Sequence, residues 1–237
     1  MAEPGSREVR ARWLHEQPEV AATGAEVTVL EGPPAGVLVN EARRTPDTVV
    51  CMAMRGRGPV RETLFGSVSG AVLRTVGRPV LLVGPRAPKP AGDWRARRLV
   101  VTLDGSETSE AILPAAAEWA RLLGARVEVL SVIYPPGDPE ARAVTRLPPE
   151  ADERYDFVTE RARGLEAEGL DVDWQVLAGA DPAATILEHV RHVPWLVAMA
   201  THGRTGLAAV LVGSVTSEVV RQHAGPVLVV RPPRLRG

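Results

Sequence analysis

With 237 residues, 45% of them hydrophobic, and a formal net charge of −1, the chain is long enough for one large domain or two small ones. It has neither the basic surplus of a nucleic-acid binder nor an acidic tail, and no apolar run approaches the ~18 residues of a membrane span, so a cytoplasmic location is expected. The one cysteine, Cys51, excludes an intrachain disulfide, and its place in an apolar run predicts a buried, inert thiol.

Residues 6–17 predict a helix with Val9, Trp13 and Leu14 on one face. Residues 25–30, β-branched at Val27 and Val29, predict a strand closed by Gly32-Pro33-Pro34. A helix over 36–44 leads to a strand over 48–52, which runs into Ala53-Met54-Arg55-Gly56. Nine residues later, Gly66-Ser67 opens a helix whose apolar side carries Val68, Val72, Leu73 and Val76. Arg78-Pro79 stops it, and residues 80–83 form a fully apolar strand. Alternation of helix and strand implies a parallel sheet. The proline-rich stretch that follows cannot continue either element, so a first domain over 1–85 and a linker over 86–95 are expected, with Trp94 as covered core.

A second domain, 96–233, restarts with a strand over 98–103 that ends at Asp104-Gly105-Ser106. Ser106 is the expected N-cap of a helix running to Leu123, in which Pro114 should either make a kink or mark rigid first turns. A strand over 126–133 follows, then a proline-rich loop over 134–149. Residues 150–168 predict a charged helix with Phe157, Val158 and Leu165 as its buried stripe and a solvated opposite face. A strand over 172–177, a helix over 181–193 capped by Asp181, and a strand over 195–199 lead to Ala200-Thr201-His202-Gly203. Nine residues later, Gly213-Ser214 opens a helix to His223, and a strand over 227–230 closes the fold.

The two glycine turns share one spacing, and shifting the chain by 147 residues places Gly66 on Gly213, Gly56-Arg57 on Gly203-Arg204, and Pro79-Val80-Leu81 on Pro226-Val227-Leu228. The chain is therefore an internal duplication. Carried backwards, the same offset places the equivalent of Arg98 before residue 1, so the first copy lacks the strand, helix and strand that open the second, and with them any counterpart of Asp104. Its strand over 25–30 would have no neighbour. A glycine turn between a buried strand and a helix suits phosphate, because first-turn amides carry partial positive charge and glycine admits an anion closely.

The second copy resembles the universal stress proteins, through the strand ending in Asp104-Gly105-Ser106, through Ser131-Val132-Ile133, and through Gly203 and Gly213-Ser214 of a Gly-x2-Gly-x9-Gly-Ser/Thr motif in which Ala200 replaces the first glycine. The resemblance implies an open parallel five-stranded α/β sheet of order 3-2-1-4-5 with helices on both faces, preceded by a truncated copy of the same fold. It also implies an adenine nucleotide such as ATP, with or without magnesium, at the switch point of the sheet. Asp104, with Gly105 and Ser106 in its turn, would then contact the ribose, Val132 the adenine, and Ala200, His202, Gly203, Arg204, Gly213, Ser214 and Val215 would surround the phosphates. Pairing of fifth strands, as the resemblance implies, would join residues 80–83 to 227–230 as a pseudo-dimer within the chain, or would join two chains. The implied role is a stress-response regulator, with at most slow ATP hydrolysis. A docking module of the same fold that binds no nucleotide is the alternative. His189 and His192 have no carboxylate partner legible in the sequence and are expected at the surface, and His202 has no second ligand at metal spacing.

Overall fold

The structure is a computed structural model that describes residues 6–45, 48–54, 65–88, 96–134, 151–192, 195–201 and 212–232. It divides into two compact units, Met1–Pro46 and Asp47–Gly237. The smaller holds α1 (Arg7–His15), α2 (Pro18–Ala21) and α3 (Pro34–Arg44). Ser6 caps α1 by accepting the Val9 amide at 3.4 Å, and Arg7 pairs with Glu31 at 2.5 Å. Residues 25–30 form no strand. The expected strand fails for a physical reason: a β-prone segment without a ladder partner gains no interstrand hydrogen bonds.

The larger unit is built on one seven-stranded sheet, ordered β1-β2-β7-β6-β3-β4-β5. Its strands are β1 (Val50–Ala53), β2 (Val80–Val83), β3 (Arg98–Thr102), β4 (Arg126–Ile133), β5 (Val172–Ala178), β6 (Trp195–Ala200) and β7 (Pro226–Val230). Counted within the second copy, β5-β4-β3-β6-β7 is the order 3-2-1-4-5. All neighbours are parallel except β2 and β7, whose antiparallel ladder sets Val80 against Val229, Leu81 against Leu228 and Leu82 against Val227. The expected pairing of residues 80–83 with 227–230 is formed.

The helices of this unit are α4 (Ser67–Thr75), α5 (Glu107–Glu110), α6 (Leu113–Leu123), α7 (Ala151–Ala167), α8 (Pro182–His189) and α9 (Ser214–Gln222). α4 and α9 are equivalent residue for residue under the 147-residue offset, and both start from a glycine N-cap. In place of one helix over 106–123 there are two, and of the two roles expected for Pro114 the first-turn one holds: it lacks an amide proton, and α6 begins around it. The loop expected over 134–149, Trp94, His202, Gly203 and Arg204, and the first copy's Arg55, Gly56 and Arg57 lie outside the described residues, apart from Tyr134.

β6 is buried at every position, as befits a parallel strand covered on both faces. The main core joins Leu99 and Val101 of β3, Val127 and Val129 of β4, Ala116 and Ala120 of α6 and Val158 and Leu165 of α7. Two expectations for single residues are corrected here. Cys51 is exposed, because side chains of a strand alternate between faces and β1 buries neither face fully; its surroundings still push the thiol pKa up by desolvation. His189 does not sit free at the surface: its Nε2 meets the buried Glu128 carboxylate at 2.5 Å, a partner 61 residues away in sequence and invisible to spacing.

His223 is buried, and its Nε2–H donates to the Trp195 carbonyl at 3.0 Å. Burial lowers its pKa from the ordinary 6.5, because the charged imidazole would lose hydration. The unfolded chain then binds the proton more readily, so stability is full above about pH 6.5 and falls as the pH drops below it. Urea unfolding between pH 7.5 and 5 should show that fall, and His223→Gln, which keeps a donor for Trp195, should show a shallower one. At the β2–β7 seam, a Cβ on Gly84 would stand 1.9 Å from the Val220 carbonyl oxygen at the end of α9. Gly84→Ala should therefore lower unfolding free energy by about 1–3 kcal/mol, read from the urea midpoint.

Candidate functional site

Strands β3 and β6 are parallel neighbours in register at Val101 and Ala198, so their C-terminal ends bring Asp104 and Thr201 to the same level of the sheet. β4 lies on the other side of β3, and Val132 lies near its end, paired with Leu177. The carboxyl ends of β3 and β6, where helices depart to opposite faces, form the usual binding crevice of such sheets. The sequence-predicted Asp104, Gly105, Ser106, Val132, Ala200, Gly213, Ser214 and Val215 are therefore at one edge, by topology.

The Asp104 turn is held by its own hydrogen bonds. Asp104 Oδ1 accepts from the Ser106 amide at 3.0 Å and from the Ser106 hydroxyl at 2.5 Å. Ser106 Oγ also accepts the Ser109 amide at 3.2 Å, which makes it the N-cap of α5, as its sequence position suggests. Ser109 returns the contact, with its hydroxyl 3.3 Å from the Asp104 amide. Gly105 has φ +82°, the left-handed region that a side chain resists. Thus one carboxylate oxygen is committed to shaping the turn.

Across the crevice, α9 is tied to β6 by Gly213 N–H, which donates to the Thr201 carbonyl at 2.5 Å, and by Thr216 Oγ, which donates to the Ala200 carbonyl at 2.9 Å. Where Ser6, Ser106 and Asp181 occupy the starts of α1, α5 and α8 with their own oxygens, the N-cap of α9 is Gly213, which has no side chain to offer the first-turn amides, and no described side chain caps them. Ser214 itself is exposed, while Ala200 is buried in the strand end. α4 starts in the same way from a glycine N-cap, Gly66.

A model of the universal stress protein family matches residues 2–84 and again residues 95–231, one match to each repeat. The chain belongs to the universal stress protein family.

A universal stress protein of Mycobacterium tuberculosis is 30% identical over 216 residues, which span 89% of this chain and 67% of the relative. One from Methanocaldococcus jannaschii is 28% identical over 154 residues, 60% of this chain and 86% of its own. The crystal structure of a universal stress protein from Archaeoglobus fulgidus superimposes with a TM-score of 0.60 at 21% identity, covering 95% of this chain and 78% of that one, which shows the shared fold. Among the described residues no helix is long and apolar enough to cross a membrane, and no three of His, Cys, Asp and Glu converge to hold a metal ion.

In this universal stress protein the site has one constituent that the sequence reading passed over. Arg154 of α7 is 1% exposed, and its guanidinium lies under the Asp104 turn, so close that a Cβ on Gly105 would stand 2.4 Å from Nη1. A signal for it was available: the buried stripe Val158, Ala162 and Leu165, continued one turn backwards, lands on residue 154. Glu110 of α5 and Arg161 of α7 reinforce the same junction through paired bonds of 2.9 and 3.0 Å, and that carboxylate raises the Arg161 pKa. Gly105→Ala should lose about 1–2 kcal/mol from backbone strain alone, measured by urea denaturation, whereas Ser106→Ala should lose about 1 kcal/mol by uncapping α5.

Proposed function

We propose that the second repeat binds an adenine nucleotide, ATP or a close relative, and that the protein acts as a stress-response regulator and not as an efficient enzyme. The observation that carries this reading is the glycine N-cap of α9, Gly213, at the same sheet edge as the Asp104 turn. Oriented first-turn amides and the Ser214 hydroxyl suit phosphate oxygens, and a carboxylate on the neighbouring strand suits the paired hydroxyls of a ribose. Phosphate binding at such a helix start needs no lysine. Val132, at the end of the next strand, completes a line from phosphate to sugar to base. Family membership adds to the reading, since the sequence carries Gly203, Gly213 and Ser214 at the spacing of the nucleotide motif that the resemblance implies, with Ala200 as the departure.

The residues present fit such a ligand in two respects: the α9 start offers donors without a capping side chain, and Gly213 approaches the Thr201 carbonyl so closely that a Cβ would lie 3.2 Å from it. Magnesium, if it accompanies the phosphates, would be held mainly by the nucleotide and water. The chain's own residues then orient the ligand, with hydrolysis at most slow. A second reading, a docking module without a ligand, draws support from Ala200, whose methyl group takes space that the motif's glycine leaves open.

Isothermal titration of the full chain with ATP tests the proposal. Micromolar to submillimolar affinity is expected, reduced at least tenfold by Asp104→Ala and by Gly213→Val. Absence of binding at millimolar nucleotide would leave the docking reading in possession.

A further inference from the structure

Arg154 poses a problem in physical chemistry. A guanidinium carries five N–H donors and a permanent charge, and burial is tolerated when acceptors surround it. Here the side chain is 1% exposed, Nε is buried without a hydrogen-bond partner, and Nη1 makes one long contact, 3.4 Å to Ser131 Oγ. Ser131 already donates its own proton to the Leu103 carbonyl at 2.7 Å. The native fold therefore keeps a cation in its interior that is under-supplied with acceptors by the described residues. A methionine or leucine at this place in the α7 stripe would pack with Val158 and Leu165 at lower cost.

The location gives the arginine a use. Its guanidinium touches Gly105 and Ser131. Gly105 follows Asp104, the residue assigned to the sugar, and Ser131 precedes Val132, the residue assigned to the base. The group thus lies at the junction of the two, at the carboxyl end of the sheet, in the first turns of a helix that runs back along β4 and β5. Purines present a ring-nitrogen acceptor at the base–sugar junction.

We propose that Arg154 is a ligand-contacting residue that donates one of its unfilled N–H groups to a ring-nitrogen acceptor of a bound purine nucleotide. The inference rests on the nucleotide-binding reading above and adds to it the residue that recognises the nucleoside, as distinct from the phosphates. The described residues leave the cation short of acceptors, and the ligand supplies one more.

The test uses the full-length chain with Arg154→Met and Arg154→Lys, and two probes: ATP, and inorganic tripolyphosphate, which lacks sugar and base. For Arg154→Met, the thermal midpoint without ligand should be unchanged or higher by up to about 5 °C, because an apolar side chain replaces an under-satisfied buried charge. ATP affinity should drop about tenfold or more, while tripolyphosphate affinity stays within twofold of wild type. Arg154→Lys, which keeps a donor but loses the fork, should fall between the two. A lower midpoint or failure of Arg154→Met to fold, with ATP affinity of Arg154→Lys at the wild-type level, would make the arginine a purely structural strut and overturn the proposal. So would an equal loss for ATP and tripolyphosphate. Wild-type protein that binds tripolyphosphate but not ATP would sink the nucleotide reading itself, whereas wild-type ATP binding that survives Arg154→Met would sink this inference alone.

Discussion

The antiparallel ladder between Val80–Val83 and Pro226–Val230 is the interaction on which the remainder of the larger unit depends. Its register is self-complementary: Leu81 and Leu228 are equivalent residues of the two repeats and face one another, while Val80 faces Val229 and Leu82 faces Val227. A two-fold axis relating the repeats passes between the central leucines, the arrangement that an isologous dimer interface requires, here enclosed in one chain. Two strands of the first copy, β1 and β2, could not bury enough surface to stand alone. Joined through the ladder, they extend a five-stranded sheet whose own core runs from β3 and β4 to α6 and α7.

This division separates construction from chemistry. Everything in the candidate site hangs on β3, β4, β6 and the helices that follow them, all in the second repeat. The first repeat keeps the glycine N-cap of α4, as α9 keeps Gly213. The contrast between the two repeats also explains why the glycine motif by itself is a weak functional signal and becomes a stronger one only when topology sets Asp104 next to it.

Much of the fold was legible because local chemistry and tertiary packing agreed. Strand bounds at 80–83 and 126–133 coincide with the structure, since continuous apolar or alternating runs flanked by Gly, Pro and Arg leave little choice. The strand over 25–30 was misread because its composition favours extension but pairing needs a partner that no local pattern reports. Pro114 was recognised as a breaker, although whether the chain bends or restarts depends on how α5 and α6 dock. In the site, Asp104, Ser106 and the α9 start could be named from their turn chemistry. Arg154 could not be named by composition, because arginines on a charged helix usually snorkel to water, and only the apolar stripe it continues distinguishes it from Arg161 or Arg163. The Glu128–His189 pair escaped for another reason, a sequence separation of 61 residues.

The pseudo-symmetry of the seam is broken at one pair of positions. Gly84 and Arg231 are equivalent under the 147-residue repeat, each just beyond its ladder strand. At Gly84 the missing side chain lets the Val220 carbonyl of α9 come into direct contact with the backbone. At Arg231 a long side chain reaches instead to the Arg74 carbonyl of α4 at 3.2 Å. One side of the dyad is closed by backbone touching backbone, the other by a cationic arm spanning a gap. A duplicated gene starts with interchangeable halves, and this pair shows how the exchange became one-way: glycine at 231 would lose the arm, and arginine at 84 would have no room. The two halves have become a lock and its key, distinct parts that began as copies.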